Sequence, residues 1–325
     1  MTSQTPGTPD AEPAPGPGDP GRRRRALAAL EGVRVGDALG AQFFVPAHLP
    51  LIRRGELPPA PWNWTDDTEM ACSVVAVLLA RGEADQDELA RSFARHHDFD
   101  RGYGPAVGRM LRLIRQEGGN WRELAGGLFH GSGSYGNGAA MRVAPLGAWY
   151  ADDPAAAAAE ARRSAEVTHR HPEGVAGAVA VALAAAAVAG GERDPAALFE
   201  AVLEHTPQSE VRTGARRAAG LLGRRRDADK ADNAAEADNA AEAAAVLGNG
   251  RNVTAQDTVP FTLWAAARHL GDFAGTVWDC VRAGGDIDTT CAIAGGIVAS
   301  APEGAPPADW LAATEPLPDW LEPRP

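Results

Sequence analysis

At 325 residues, with 45% hydrophobic and 6% aromatic content, the chain is long enough to bury a sizeable core, and its Ala-rich composition favours helices over sheets. A formal net charge of −12 argues against nonspecific nucleic-acid binding, which needs Lys and Arg to neutralise phosphates. Three cysteines (Cys72, Cys280, Cys291) make no disulfide framework and suit structural roles in a reducing, cytoplasmic setting.

In chain order, residues 1–22 are rich in proline and glycine and carry almost no large apolar groups, so a disordered tail is expected there. The run Arg22–Arg25 before Ala26–Leu30 faintly resembles an export signal, but Glu31, Arg34 and Asp37 break its apolar region at once. Gly32, Gly36 and Gly40, spaced four apart, predict close helix packing. Asp37 inside that surface must find a partner, and a structural bond is its expected role. From Thr68 to Ala80 apolar residues recur at helical spacing, and similar patterns cover about 85–98, 105–117, 155–167, 173–189, 210–222, 258–269, 272–282 and 286–300. The most apolar stretch, Val175–Ala189, is too short and too Ala-rich for a membrane span and predicts a buried helix. Asp227–Ala245 carries Ala-Asp-Asn-Ala-Ala-Glu twice in tandem and is expected to be a low-complexity insert, as a solvated helix or a loose loop. No segment alternates with period two. The expected fold is all-α, a compact single domain over 23–325.

Three further motifs carry chemistry. Trp64-Thr65-Asp66-Asp67-Thr68-Glu69-Met70 sits just before an apolar helix, where paired carboxylates alone would be ordinary capping. Gly284-Gly285-Asp286-Ile287-Asp288-Thr289-Thr290 repeats that form at a second helix start. If the two starts meet, four carboxylates converge. Two unit charges roughly 4 Å apart repel by about 4 kcal/mol at an effective dielectric near 20, whereas a helix dipole offsets only about 0.3–1 kcal/mol. Such a cluster stays ionised only with a divalent cation. Oxygen ligands select Mg²⁺, and the lack of Cys and His in both motifs disfavours zinc. Between them, Gly131-Ser132-Gly133-Ser134-Tyr135-Gly136-Asn137-Gly138, followed by a helix-like run, is either a phosphate cradle or an ordinary glycine-rich connection.

These motifs, in this order from about Leu30 to Ser300, resemble the ADP-ribosylglycohydrolase family. The resemblance implies a compact orthogonal helical bundle and two Mg²⁺ ions, with Mn²⁺ as an alternative, held by Thr65, Asp66, Asp67, Asp286, Asp288 and Thr289. It implies that Gly133, Ser134, Tyr135, Gly136, Asn137 and Gly138 hold the diphosphate and border the adenosine, with His169 close to the distal ribose. Asp66, Asp67 or Asp288 would take the proton of the attacking water. The expected partner is an ADP-ribosylated protein or an ADP-ribosyl small molecule, acted on by a monomer with no membrane attachment and no nucleic-acid role. One departure stands out: the glutamate that the family carries four residues beyond Gly40 is here Phe44. It implies a weaker enzyme, a different linkage or a different base. The alternatives are an ADP-ribose-binding protein with little or no activity, and a hydrolase of ADP-ribosylated nucleobase or of a small metabolite.

Overall fold

The computed structural model describes residues 19–228 and 236–321. Most of the expected tail and residues 229–235 of the expected insert lie outside the described residues. Among the described residues there are sixteen α-helices and no strands. The first half comprises α1 Pro20–Ala41, α2 Leu49–Arg54, α3 Asp66–Arg81, α4 Gln86–His96, α5 Pro105–Glu117, α6 Trp121–Gly127, α7 Ala144–Trp149 and α8 Pro154–Glu166. The second comprises α9 Pro172–Ala189, α10 Pro195–His205, α11 Glu210–Ala228, α12 Glu236–Leu247, α13 Ala255–Arg268, α14 Phe273–Ala283, α15 Ile287–Val298 and α16 Ala308–Ala313.

The glycine spacing of α1 decides how the bundle closes. A Cβ on Gly32 would sit 2.4 Å from the Gly295 carbonyl oxygen, one on Gly36 2.3 Å from that of Cys291, and one on Gly40 2.6 Å from Cα of Asp288. Only hydrogen fits at these three places, so the α1 and α15 backbones touch along their length. That contact sets Asp37, on the buried side of α1, beside the first turn of α15. Helix α1 begins at Pro20, where Asp19 caps it by accepting from Gly21 N at 2.8 Å, so residues 20–22 are helical and not part of the expected tail.

Helix α9 fills the centre. It is long and apolar enough by composition to cross a membrane, with mean hydropathy 1.7, yet 78% of it is buried inside the protein, as its Ala-rich sequence predicts. Helix α7 approaches it closely, since a Cβ on Gly147 would lie 2.1 Å from the Ala182 carbonyl oxygen.

The segment entering α3 is held from the far end of the chain. Trp62 N donates to Ala313 O at 2.8 Å, and Glu315 N donates to Trp62 O at 2.9 Å. Arg101 donates to both Glu315 oxygens at 2.7 and 2.8 Å and to Trp64 O at 2.8 Å, its guanidinium 3.4 Å over the Trp64 ring. Planar, bidentate pairing of this kind fixes geometry better than a point charge does.

Candidate active site

Helices α1, α3 and α15 bring their carboxylates to one place. Asp37, Asp67 and Asp288 each offer an oxygen, and the three oxygens lie within 4.8 Å of one another. Asp37 is completely buried. It accepts from Thr65 N at 2.9 Å, Thr68 N at 3.1 Å, Thr65 Oγ1 at 2.8 Å and Thr68 Oγ1 at 2.5 Å. It therefore caps the first turn of α3 from a neighbouring helix, satisfying amides that a helix start leaves without partners. This is the structural bond its sequence context predicts, and the same carboxylate also belongs to the acidic trio. Asp67 is buried too, yet among the described residues its Oδ1 has no hydrogen-bond partner.

Asp66 and Asp286 line the cleft beside the trio. The Gly284–Gly285 turn that delivers Asp286 runs at φ +66° and +79°, the left-handed region that favours glycine. It is tied to the preceding loop, with Asp286 N donating to Asn249 O at 3.1 Å.

Such crowding should penalise ionisation, and it does. Burial first, and then the Asp37 charge, push the Asp66 carboxyl up to about 8. Asp67 and Asp288 are held well above the usual carboxylate range, again by burial first and then by the neighbouring carboxylates. Asp37 and Asp286 are raised by burial, with hydrogen bonds from Thr68 and Thr65, and from Asn137 and Thr289, pulling them partly back. An all-oxygen donor set with an unpartnered buried carboxylate oxygen suits a hard cation, whose charge would offset the crowding.

The cleft above this floor encloses about 520 Å³, within the range of small-molecule sites. Its facing wall includes Ser134, Tyr135, Gly136, Asn137, Gly138 and His169. The predicted helix-like run after Asn137 is only a 3-10 turn, Asn137–Ala139, and α7 starts later, at Ala144. The expected helix start after Asn137 is therefore absent, and the helix ends that do touch the loop, His171 N before α9 and Ala255 N of α13, donate to its carbonyls Ser134 O and Tyr135 O. Several of its backbone groups are engaged already: Gly136 N donates to Ser134 Oγ at 3.2 Å, Asn137 N to Val253 O at 3.3 Å, and Tyr135 O accepts from Ala255 N at 3.0 Å. The Asn137 amide nitrogen is spent as well, Nδ2 donating to Asp286 Oδ2 at 2.7 Å and to Thr258 Oγ1 at 3.1 Å. It joins the glycine loop to the acidic wall.

Two residues of the expected set stand aside from the lining. Thr65 turns its hydroxyl between Asp37 Oδ1, at 2.8 Å, and Asp67 Oδ2, at 3.1 Å. Gly133 faces the Arg170–His171 backbone, where a Cβ would meet His171 N at 2.7 Å. Thr289 remains in the lining, on the first turn of α15. Phe44 is 52% exposed and is not among the lining residues. Sequence reasoning misses Phe129 and Val253, which form the apolar rim with Tyr135. Phe129 (φ 51°), His130 (φ 59°) and Val253 (φ 54°) are the three non-glycine residues with left-handed backbone among those described. Strain of that kind concentrates at ligand sites, and nothing in the sequence signals it for a β-branched or aromatic residue.

Residues 18–324 match the family model described as ADP-ribosylglycohydrolase. The chain is 30% identical over 308 residues to the ADP-ribosylhydrolase ARH3 of Gallus gallus, covering 84% of each chain. It is likewise 30% identical over 311 residues to that of Homo sapiens, again covering 84% of each. The ADP-ribosyl-dinitrogen reductase glycohydrolase of Rhodospirillum rubrum is 32% identical over 161 residues, 46% of this chain and 52% of that one. A solved structure described as an ADP-ribosylglycohydrolase-related protein complex superposes with TM-score 0.62 at 28% identity, covering 90% of this chain and 93% of the other. With the family model spanning nearly its whole length, the chain belongs to the ADP-ribosylglycohydrolase family and is a glycosyl hydrolase.

Proposed function

We propose that the protein removes ADP-ribose from a side chain of a modified protein, hydrolysing the glycosidic bond with Mg²⁺ held in the acidic cluster. The observation that carries the reading is the buried, unpartnered Oδ1 of Asp67 beside Asp37 and Asp288 at the base of a cleft of nucleotide size. Asp37, Asp67 and Asp288 would hold one cation, and Asp66 and Asp286 flank a second position. A cation bound there supplies positive charge that keeps these carboxylates ionised and acidifies a coordinated water. Asp66 lies on the cleft outside the tight trio and takes the proton of the attacking water. Tyr135 and Phe129, with rings 5.8 Å apart at the rim, offer an aromatic face to a purine. The R. rubrum relative, whose name specifies a protein substrate, supports a protein-linked ADP-ribose. Three free, buried thiols support a reducing, cytoplasmic setting.

The test is incubation of the pure protein with ADP-ribosyl-arginine, ADP-ribosyl-serine and ADP-ribosylated nucleic acid, with and without Mg²⁺. Magnesium-dependent release of ADP-ribose from a side-chain substrate is expected. Release from nucleic acid alone would move the substrate class, and binding without release would make the protein an ADP-ribose holder.

A further inference from the structure

Arg142 is a charge in an unusual setting. It is fully buried, and among the described residues no carboxylate pairs with it. Its Nη2 donates to Ser164 O at 2.8 Å, and its Nη1 donates to Thr168 Oγ1 at 2.9 Å and to Gly138 O at 3.3 Å. The Phe93 ring faces the guanidinium at 4.5 Å. A cation so placed carries a large desolvation cost, and burial brings it down to about 9.

Its effect passes through Thr168 to the cleft. The Thr168 hydroxyl, itself fully buried, lies 2.7 Å from His169 Nδ1. Arginine can only donate, so Thr168 Oγ1 accepts from Arg142 and has one hydrogen to give. Nδ1 is the partner within reach of that hydrogen. Were Nδ1 protonated instead, Thr168 Oγ1 would accept from it as well as from Arg142, and its own buried hydrogen would lose its acceptor, which costs about 1–3 kcal/mol. Nδ1 therefore accepts, and the ring proton must reside on Nε2. The ring edge bearing Nε2 faces the glycine loop: a Cβ on Gly136 would lie 3.2 Å from Nε2, and one on Gly138 would lie 3.0 Å from it. Arg142 also opposes a second ring proton, adding to the burial that brings His169 down to about 3.

From this geometry we infer that Arg142 and Thr168 are positioning residues that lock His169 as a neutral Nε2–H donor, directed at an acceptor oxygen of the ligand. This deepens the proposed function and rests on it for the ligand, an ADP-ribose hydroxyl or phosphate oxygen. The tautomer itself needs no ligand. Burial and Arg142 hold the ring neutral through histidine's usual range, so ligand capture through Nε2–H does not follow histidine's ordinary titration.

Nitrogen NMR of the protein labelled at histidine reads the proton's position directly. In the ligand-free wild type the Nε2–H form of His169 is expected at neutral pH. Thr168→Ser should retain it, and Thr168→Val should give a mixture of tautomers with roughly tenfold weaker ADP-ribose binding, the scale of one hydrogen bond. An Nδ1–H form or an imidazolium in the wild type would overturn the inference, whether or not the variants fold. Titration with ADP-ribose separates the two layers. A moving Nε2–H resonance supports the donor role, and a still one while the Tyr135 ring shifts refutes it. If no resonance in the cleft responds, the proposed function fails along with the ligand half of the inference, and the tautomer stands on its own measurement.

Discussion

The two walls of the cleft treat their polar groups in opposite ways. On the glycine wall most backbone groups are committed: Gly136 N, Asn137 N and Tyr135 O all bond within the protein, and Asn137 spends its amide nitrogen on Asp286 and Thr258. On the acidic wall five carboxyls are crowded above their ordinary range, and Asp67 keeps a buried oxygen with no partner. Buried polar groups are normally satisfied. A wall that breaks that rule is built to be completed from outside, whereas a wall that obeys it is built to keep its shape. Asp37 and Asp67 make the contrast within one cluster, since the first has four donors from Thr65 and Thr68 and the second lacks a partner at Oδ1.

The largest effect should come from the unsatisfied wall. Asp67→Ala removes a proposed cation ligand and is expected to weaken Mg²⁺ binding and lower turnover by at least ~100-fold, the upper end of what losing a group that only orients ligands costs. Unchanged turnover would break the contrast. Next comes the bridge between the walls. Asn137→Ala releases Asp286 and should reduce metal affinity by about 10–100-fold, as removal of groups that orient ligands does. Metal titration by calorimetry measures it, and a change in ADP-ribose affinity alone would mean that Asn137 serves the ligand instead.

A pH experiment sharpens the account of the committed wall. The folded value of His169, about 3, lies below its ordinary 6.5, owing to burial and then to Arg142. A depressed value of this kind adds stability that is present above 6.5 and lost as pH falls toward about 3. Chemical denaturation across that window should show wild type losing stability relative to His169→Gln. Parallel curves would contradict the burial of a neutral ring. The smallest effect is expected at Phe44, which lies outside both walls. Phe44→Glu should leave stability within about 0.5 kcal/mol, as exposed substitutions do, and leave turnover unchanged. A rise in hydrolysis of ADP-ribosyl-arginine would place residue 44 over the cleft during the reaction.

Much of this was legible from spacing. The sequence pattern marks α3, α5, α8, α9 and α15 to within two or three residues, by apolar residues at helical spacing in α3, α5 and α8 and by nearly continuous small and apolar runs in α9 and α15, which are buried all round. Gly32, Gly36 and Gly40 announce a helix crossing, and paired carboxylates at two helix starts announce a cation site. What spacing does not reveal is which polar groups are already spent. Asn137 reads as a ligand-loop residue, and only its 2.7 Å bond to Asp286 shows its second allegiance. Thr65 likewise shares its hydroxyl between two carboxylates, and Gly133 gives way to the Arg170–His171 backbone. Residues 252–254 join the cleft through a strained loop whose sequence, Asn252-Val253-Thr254, has no glycine to betray it.

The backbone contact between α1 and α15 has a consequence for assembly. Asp37 belongs to an early helix and Asp288 to a late one, and neither can take its place until Gly36 lies against the Cys291 carbonyl. A ribosome-bound chain that has not yet emitted α15 thus has no seat for an ion, however well its earlier helices have formed. Under the proposed function, ion uptake would report completed folding, because Asp288 is supplied only by α15.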